Sequence, residues 1–363
     1  MIQELGEFYR GRRVLVTGHT GFKGSWLSMW LRDAGAEVTG YALEPEPGRP
    51  SLFELARVAS GMHSIIGDVR DRPALDRALR NARAEVVFHL AAQSLVRRSY
   101  AEPVATFETN VLGTANLLDA IRRVDSVRSV VVVTSDKCYD NRDLERGYTE
   151  DDPLGGHDPY SASKGCQEIV AAAFRKSFLG ARGVAVASAR AGNVIGGGDW
   201  SQDRLVADLM SAAAHEEIAI VRNPDSVRPW QHVLEPLRGY LMLGSALHDE
   251  GAAWAEGWNF GPNLTDAISV RDLVGRMSAA WPRVRTQIAA QTGAPHEARL
   301  LRLDNTKARD RLGWTPALAL DETIELTVKW YRAVSEDPAA ALDMTTLQLR
   351  EYEERVRGAG QLA

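Results

Sequence analysis

The chain has 363 residues, 45% of them hydrophobic and 25% charged, with a formal net charge of -5. That length buries one large core or two smaller ones, and the balance is that of an ordinary globular protein. No basic stripe invites nucleic acid, no apolar run is long enough to span a bilayer, and the polar stretch from Met1 to Arg13 lacks the apolar centre of a secretion signal.

Arg13 to Thr17 is a short apolar run ending in glycines, and predicts a buried first strand. Phe22 to Ala34 has helical apolar spacing through Trp26, Leu27, Met29, Trp30 and Leu31. Between them lies Gly18-x-x-Gly21-x-x-Gly24, where glycines let the backbone approach a pyrophosphate and the helix start offers free N–H groups. A dinucleotide is therefore expected. Glu37 to Leu43 predicts strand two. Its end holds Tyr41 and Ala42, with Glu44 late for a ribose contact and no Arg for a 2′-phosphate, so NAD is expected over NADP. Ser64 to Gly67 is a short strand ending at Asp68, which either meets the adenine or caps a turn.

Leu75 to Ala82 reads as helix, and Glu85 to Leu90 as a strand closed by Ala91-Ala92-Gln93. Thr106 to Arg123 predicts one long helix. Asn110 inside it is unfavourable without a tertiary reason, and either holds backbone near the site or faces solvent. Ser129 to Thr134 is a valine run leading into Ser135; Tyr160 to Phe178 reads as helix and Val184 to Ala189 as strand. Alternating helices and continuous β-branched strands predict an α/β fold, a doubly wound parallel sheet of Rossmann type with a smaller, mixed α/β C-terminal substrate domain. Residues 1–190 are expected to hold NAD and 191–363 mainly the other ligand, with a return to the first domain around 232–262. Val356 to Ala363 reads as a loose tail.

The chemistry concentrates in Ser135-Asp136-Lys137 and Tyr160-Ser161-Ala162-Ser163-Lys164. One helical turn puts Tyr160 and Lys164 on one face, where the ammonium is expected to lower the phenol's pKa for proton abstraction beside a hydride acceptor. A plain alcohol oxidation needs no further acid and amine, so Asp136 and Lys137 suggest additional proton transfers, as in an elimination. Three of the six Lys, Lys23 among them, sit in these motifs, whereas Arg serves most other basic positions. Arg228-Pro229-Trp230 and His296 together fit a phosphate and nucleotide site, although each taken alone reads as a structural residue. Cys138 and Cys166 form no disulfide framework, no metal site is expected, and a reduced cytoplasm is the expected compartment.

Together with His89-Leu90-Ala91-Ala92-Gln93, Arg190 to Trp200 and Arg228 to Pro236, these strings resemble the extended short-chain dehydrogenase/reductase family from Gly11 to about Trp330. Within it the chain is similar to nucleotide-sugar 4,6-dehydratases. The resemblance implies CDP-glucose as the substrate; the related dTDP-glucose members carry Asp-Glu where this chain has Asp136-Lys137. The resemblance implies a lyase that oxidises C4, eliminates water across C5 and C6, and returns hydride to C6. Tyr160, aided by Ser135 and Lys164, would take the O4 proton. Lys137 would be the base at C5 and Asp136 the acid at the 6-hydroxyl, each with its pKa moved toward neutrality. Thr20, Phe22, Lys23, Asp68, Val69, Leu90, Ala91, Ala92 and Asn110 would surround the cofactor with the glycines. Gln93, Asn193, Arg204, Arg228 and His296 would meet the substrate. A homodimer or homotetramer on the Thr106 to Arg123 and Tyr160 to Phe178 helices is also implied. Asp143 to Thr149 departs from the family's aromatic pattern, in a loop that borders the active site of such enzymes. Two other readings remain: a 4-epimerase or simple dehydrogenase of the same family, and a non-catalytic nucleotide-binding protein.

Overall fold

Seven parallel strands form the central sheet of the computed structural model, which describes residues 2–263, 266–289 and 300–360. They are β1 (Arg13–Thr17), β2 (Glu37–Ala42), β3 (His63–Ile66), β4 (Val86–His89), β5 (Ser129–Val133), β6 (Ala185–Arg190) and a last strand, Gly257–Asn259. The spatial order runs from Gly257–Asn259 through β6, β5, β4, β1 and β2 to β3. The chain thus reverses direction between β1 and β4, where a crevice opens at the strands' carboxyl ends.

Alternation explains why these strands read as continuous apolar runs. Val14 and Val16 of β1 join one core while Leu15 joins the other; Val131 and Val133 of β5 face the first and Val130 and Val132 the second. The helices Phe22–Asp33 and Leu234–Glu250 cover the first face. Arg72–Ala82, Gly113–Ile121 and Pro159–Phe174 cover the second. Residues beyond β6 supply the helix Leu205–Ala214, the strand Ile218–Val221 paired with Arg285–Ile288, and the helices Val270–Ala280 and Leu320–Glu336.

Three expectations need correction. The Thr106 to Arg123 segment is not one regular helix: Pro103–Phe107 passes through a π-helical turn, Glu108–Leu112, into Gly113–Ile121. Pro159–Phe174 likewise ends in a π-helical turn, Arg175–Leu179. A π turn inserts one residue while keeping nearly the same apolar face, so the periodicity conceals it. Val356 lies in the final helix, Ala340–Gly360, and is buried against the first core; residues 361–363 lie outside the described residues. An N-terminal helix, Ile2–Tyr9, was also not apparent from the sequence; the Tyr9 hydroxyl donates to the Leu241 carbonyl at 2.7 Å.

Candidate active site

A cleft of about 570 Å3 lies at the carboxyl ends of the strands, beneath the elements that follow β6. Its first half is built by the glycine turn. Gly18 leaves β1 at φ +79°, and a methyl carbon there would stand 2.7 Å from the Ala91 amide nitrogen. No other residue lets β1 pass so close to the Leu90-Ala91-Ala92 turn. Gly18, Thr20, Gly21, Phe22, Lys23, Gly24, Asp68, Val69, Leu90, Ala91 and Ala92 all line this half, which ends in Ala42 and Leu43. A glycine cradle at a helix start fits a dinucleotide pyrophosphate. Asp68 both lines the cleft and caps a turn, accepting from the Arg70 amide at 2.9 Å and pairing with its guanidinium at 2.6 Å. Arg70 holds its carboxyl below the ordinary range.

Ser135, Asp136, Lys137, Tyr160 and Lys164 meet at the middle of the cleft. The Asp136–Cys138 3-10 turn begins at the end of β5, capped by the Ser135 hydroxyl, which accepts from the Lys137 amide at 3.2 Å. The same hydroxyl donates to Asp136 Oδ1 at 2.8 Å. Asp136 is only 2% exposed, and Lys137 is half-buried. A methyl carbon on Gly192 would fall 1.8 Å from Asp136 Oδ2, so that position must be glycine for the acid to reach the cleft. Asp158 caps the Pro159–Phe174 helix by accepting from the Ser161 amide at 2.9 Å, and Pro159 pre-sets its first turn. Tyr160 and Lys164 then follow one turn apart.

The electrostatics correct one expectation. Burial pushes the Tyr160 phenol up to about 12, although Ser135 hydrogen-bonds it and the Arg204 charge favours its anion. Lys164 does not offset this, because its ammonium points at Gln167 Oε1 (2.7 Å) and lies 5.9 Å from the Tyr160 ring centre. Burial, reinforced by the charge of Lys23, pushes Lys164 itself down to about 7. Lys23 is pushed to about 8 by burial and then by Arg204. A buried relay continues from Gln167, whose amide donates to Thr114 Oγ1 at 2.7 Å. Thr114 donates to the Asn110 carbonyl, which leaves its oxygen to accept from His89 Nε2 at 3.0 Å. His89 Nδ1 meets Thr17 Oγ1 at 2.7 Å, and Thr17 holds the Ala91 amide at 3.2 Å. Lys164 is thus tied to the glycine turn. His89 stays neutral, its pKa driven down to about 3 by burial.

Behind Lys164, on the same helix, Glu168 is fully partnered. It accepts from Arg190 at 3.0 and 2.8 Å and from the hydroxyls of Thr134 and Ser188, both at 2.5 Å. Burial alone would raise its carboxyl, but Arg190 and the hydroxyls outweigh it and hold the pKa below the ordinary value. Arg190 also donates to the Tyr139 hydroxyl at 2.7 Å, which bonds Asn259 at 2.7 Å. The sequence reading missed this pair, which braces the residues flanking Asp136 and Lys137.

The second half of the cleft holds Asn193, Arg204 and Arg228. Asn193 Nδ2 stands 3.5 Å from Asp136 Oδ2, and Arg204 is held by Asp199 at 3.0 Å and Ser94 at 3.1 Å. Two expected contacts lie elsewhere. The Gln93 side chain closes its own turn, accepting from the Leu95 amide at 2.6 Å and donating to Thr106 at 2.9 Å, so it is not on the cleft wall. Asn110 is likewise off the wall. It accepts from the Gln93 amide at 2.8 Å and donates to the Gln93 carbonyl and Ser163 at 3.0 and 2.8 Å, bracing the site from behind. His296 lies outside the described residues. The Asp143 to Thr149 loop does not border the cleft: Tyr148 exchanges backbone bonds with Arg302 and Asp304, and Asp143 accepts from the Leu300 amide. Among the described residues no helix is long and apolar enough to cross a membrane.

Comparison with known proteins fits this geometry. Residues 15–327 match the family model described as GDP-mannose 4,6 dehydratase. A CDP-glucose 4,6-dehydratase of Salmonella typhimurium is 51% identical over 331 residues, 90% of this chain and 92% of that protein. A dTDP-glucose 4,6-dehydratase of Streptomyces griseus is 31% identical, covering 88% of this chain and 93% of its own length. The crystal structure of a Streptomyces venezuelae dTDP-glucose 4,6-dehydratase with NAD bound superposes with a TM-score of 0.75 at 28% identity, over 90% of this chain and 99% of that one.

Proposed function

That this chain belongs to the GDP-mannose 4,6 dehydratase family is the premise from which we propose its reaction: the NAD-dependent dehydration of CDP-glucose to CDP-4-keto-6-deoxyglucose. The chain is a nucleotide-sugar 4,6-dehydratase, a lyase. The observation that carries this reading is a buried acid, Asp136, standing beside the Ser135 and Tyr160 hydroxyls in one cleft. An epimerase has no leaving hydroxyl for such an acid to serve. The chemistry NAD supplies when bound is acceptance of hydride from C4 and its return to C6.

Tyr160 takes the O4 proton, with Ser135 orienting the hydroxyl. Its phenol, high in this structure, has to be drawn down by positive charge, so the Lys164 ammonium must leave Gln167 for the ribose and phenol side when the cofactor is in place. The ketone at C4 acidifies C5, Lys137 removes that proton, and Asp136 protonates the departing 6-hydroxyl. Asn193, Arg204 and Arg228 hold the diphosphate, and binding energy from the nucleotide positions the sugar. Residues 1–190 with 232–262 carry NAD; the remainder of 191–363 carries the nucleotide sugar. The exposed Tyr100, Val104, Leu112, Ile169 and Phe178, all on the helices between 96 and 179, supply the apolar face for a homodimer or homotetramer in the cytoplasm. Incubation with CDP-glucose and NAD should yield a nucleotide sugar lighter by one water, with no net reduced cofactor. Unchanged mass would overturn the assignment.

A further inference from the structure

One acid in the cleft has no place in the chemistry above. Asp208 lines the half that holds Arg204, Arg222 and Arg228. A carboxylate there would repel a diphosphate, so it must face a part of the ligand that carries hydrogen-bond donors. Asp208 sits one helical turn beyond Arg204, its amide donating to the Arg204 carbonyl at 2.9 Å. If Arg204 marks the diphosphate, Asp208 lies on the nucleoside side.

Its surroundings suit a flat polar ring. Ile220, Val221 and Val270 give apolar walls. One nitrogen of the nearby Arg222 guanidinium is committed elsewhere, since its Nη1 donates to Asp203 at 3.0 Å. Burial, then the charge of Asp203, push the Asp208 carboxyl up to about 6, with Arg222 and Arg49 opposing. A second observation points to a ligand here. Trp230 is 7% exposed and lines the same cleft, and its indole Nε1, like Arg222 Nε, is buried with no hydrogen-bond partner among the described residues. The Asp208 carboxylate accepts from the Asp203 backbone and keeps lone pairs to spare, and the two unpartnered donors belong to residues that line the same cleft.

We infer that Asp208 reads the exocyclic amine of the substrate's base, and so selects a cytosine nucleotide over a uracil or thymine one. Cytosine offers an amine donor beside ring acceptors, matching Asp208 and the Trp230 and Arg222 donors; uracil and thymine place a carbonyl oxygen where the amine would be. A site built around such a donor rejects the analogue that lacks it far more strongly than an apolar pocket rejects a lost methylene. The inference rests on the proposed dehydration for its substrate and goes beyond it in assigning the selecting residue.

Asp208→Asn, nearly isosteric, tests it. Measured with CDP-, UDP- and dTDP-glucose, kcat/KM for CDP-glucose should fall about 10- to 100-fold while the other two hold or rise, because an amide can donate to O4. Equal losses on all three would assign Asp208 to the ribose hydroxyls and overturn the inference. An unchanged preference would overturn it too. Calorimetric binding of CDP and UDP, with no sugar and no turnover, separates this claim from the reaction. If the wild type failed to dehydrate CDP-glucose, the reaction would fall. The inference would stand if CDP still bound more tightly than UDP and Asp208→Asn erased the difference, and would fall otherwise.

Discussion

Lys164 and Glu168 lie one turn apart on one helix, both buried, yet their surroundings differ. Glu168 has a guanidinium and two hydroxyls and remains a carboxylate. Lys164 has only a neutral amide, and its pKa has fallen to about 7. A buried charge that is fully paired serves structure. One left with a weak partner stays free to change partner and protonation, which is what a proton-transfer site requires. One face of the helix therefore carries a responsive turn followed by a fixed one, and the fixed turn holds the residues that flank Asp136 and Lys137.

Breaking the fixed turn should have the largest effect. Arg190→Met leaves Glu168 buried and unpaired, and we predict a loss of about 3–5 kcal/mol in urea unfolding. A loss below about 1 kcal/mol would mean that Glu168 is not a paired carboxylate. On the responsive side of the helix start, Tyr160→Phe should slow turnover by about 100- to 10000-fold while unfolding stays within about 0.5 kcal/mol of wild type. Comparable damage to stability would erase the distinction between the two turns.

Asn110→Ala tests the brace between them. It strands the Gln93 amide and carbonyl, and should cost about 2–3 kcal/mol in thermal or urea unfolding. Smaller still, and opposite in sign, is Lys164→Met. Lowering the Lys164 pKa from 10.5 to about 7 corresponds to a penalty on the order of 5 kcal/mol at neutral pH. Stranding Gln167, at up to about 3 kcal/mol, offsets more than half of it, so the cofactor-free variant should gain about 2 kcal/mol at pH 7 while losing activity. The sign follows from the direction of the shift. The unfolded chain binds the proton more tightly, so the penalty is full below about pH 7 and fades as pH rises toward 10.5. The variant's advantage should therefore shrink between pH 7 and 10.

Much of this was legible in the sequence because it depends on local order. The glycine turn follows a strand, Ser135 ends a valine run, and Tyr160 precedes Lys164 by one turn, so spacing alone brought them together. What spacing could not reveal was where side chains turn. Gln93 stands in the same string as cleft residues, but its amide finds the Leu95 backbone two residues on. A mid-helix Asn110 calls for a tertiary partner, yet the π turn that aims it at Ser163 leaves no periodic trace. The Glu168–Arg190 pair joins a helix to a strand across 22 positions and has no motif. Gly192 had no turn to announce it; only the approach of Asp136 explains it. Burial also reversed the expected shift of Tyr160, because a sequence displays the cation nearby and not the solvent removed.

In the proposed reaction Asp136 is the acid of an elimination rather than a bystander to an oxidation. Asp136→Asn, incubated with CDP-glucose and NAD, should accumulate absorbance from the reduced cofactor while the nucleotide sugar loses no water. Full conversion to a dehydrated sugar by Asp136→Asn, at the wild-type rate, would contradict it.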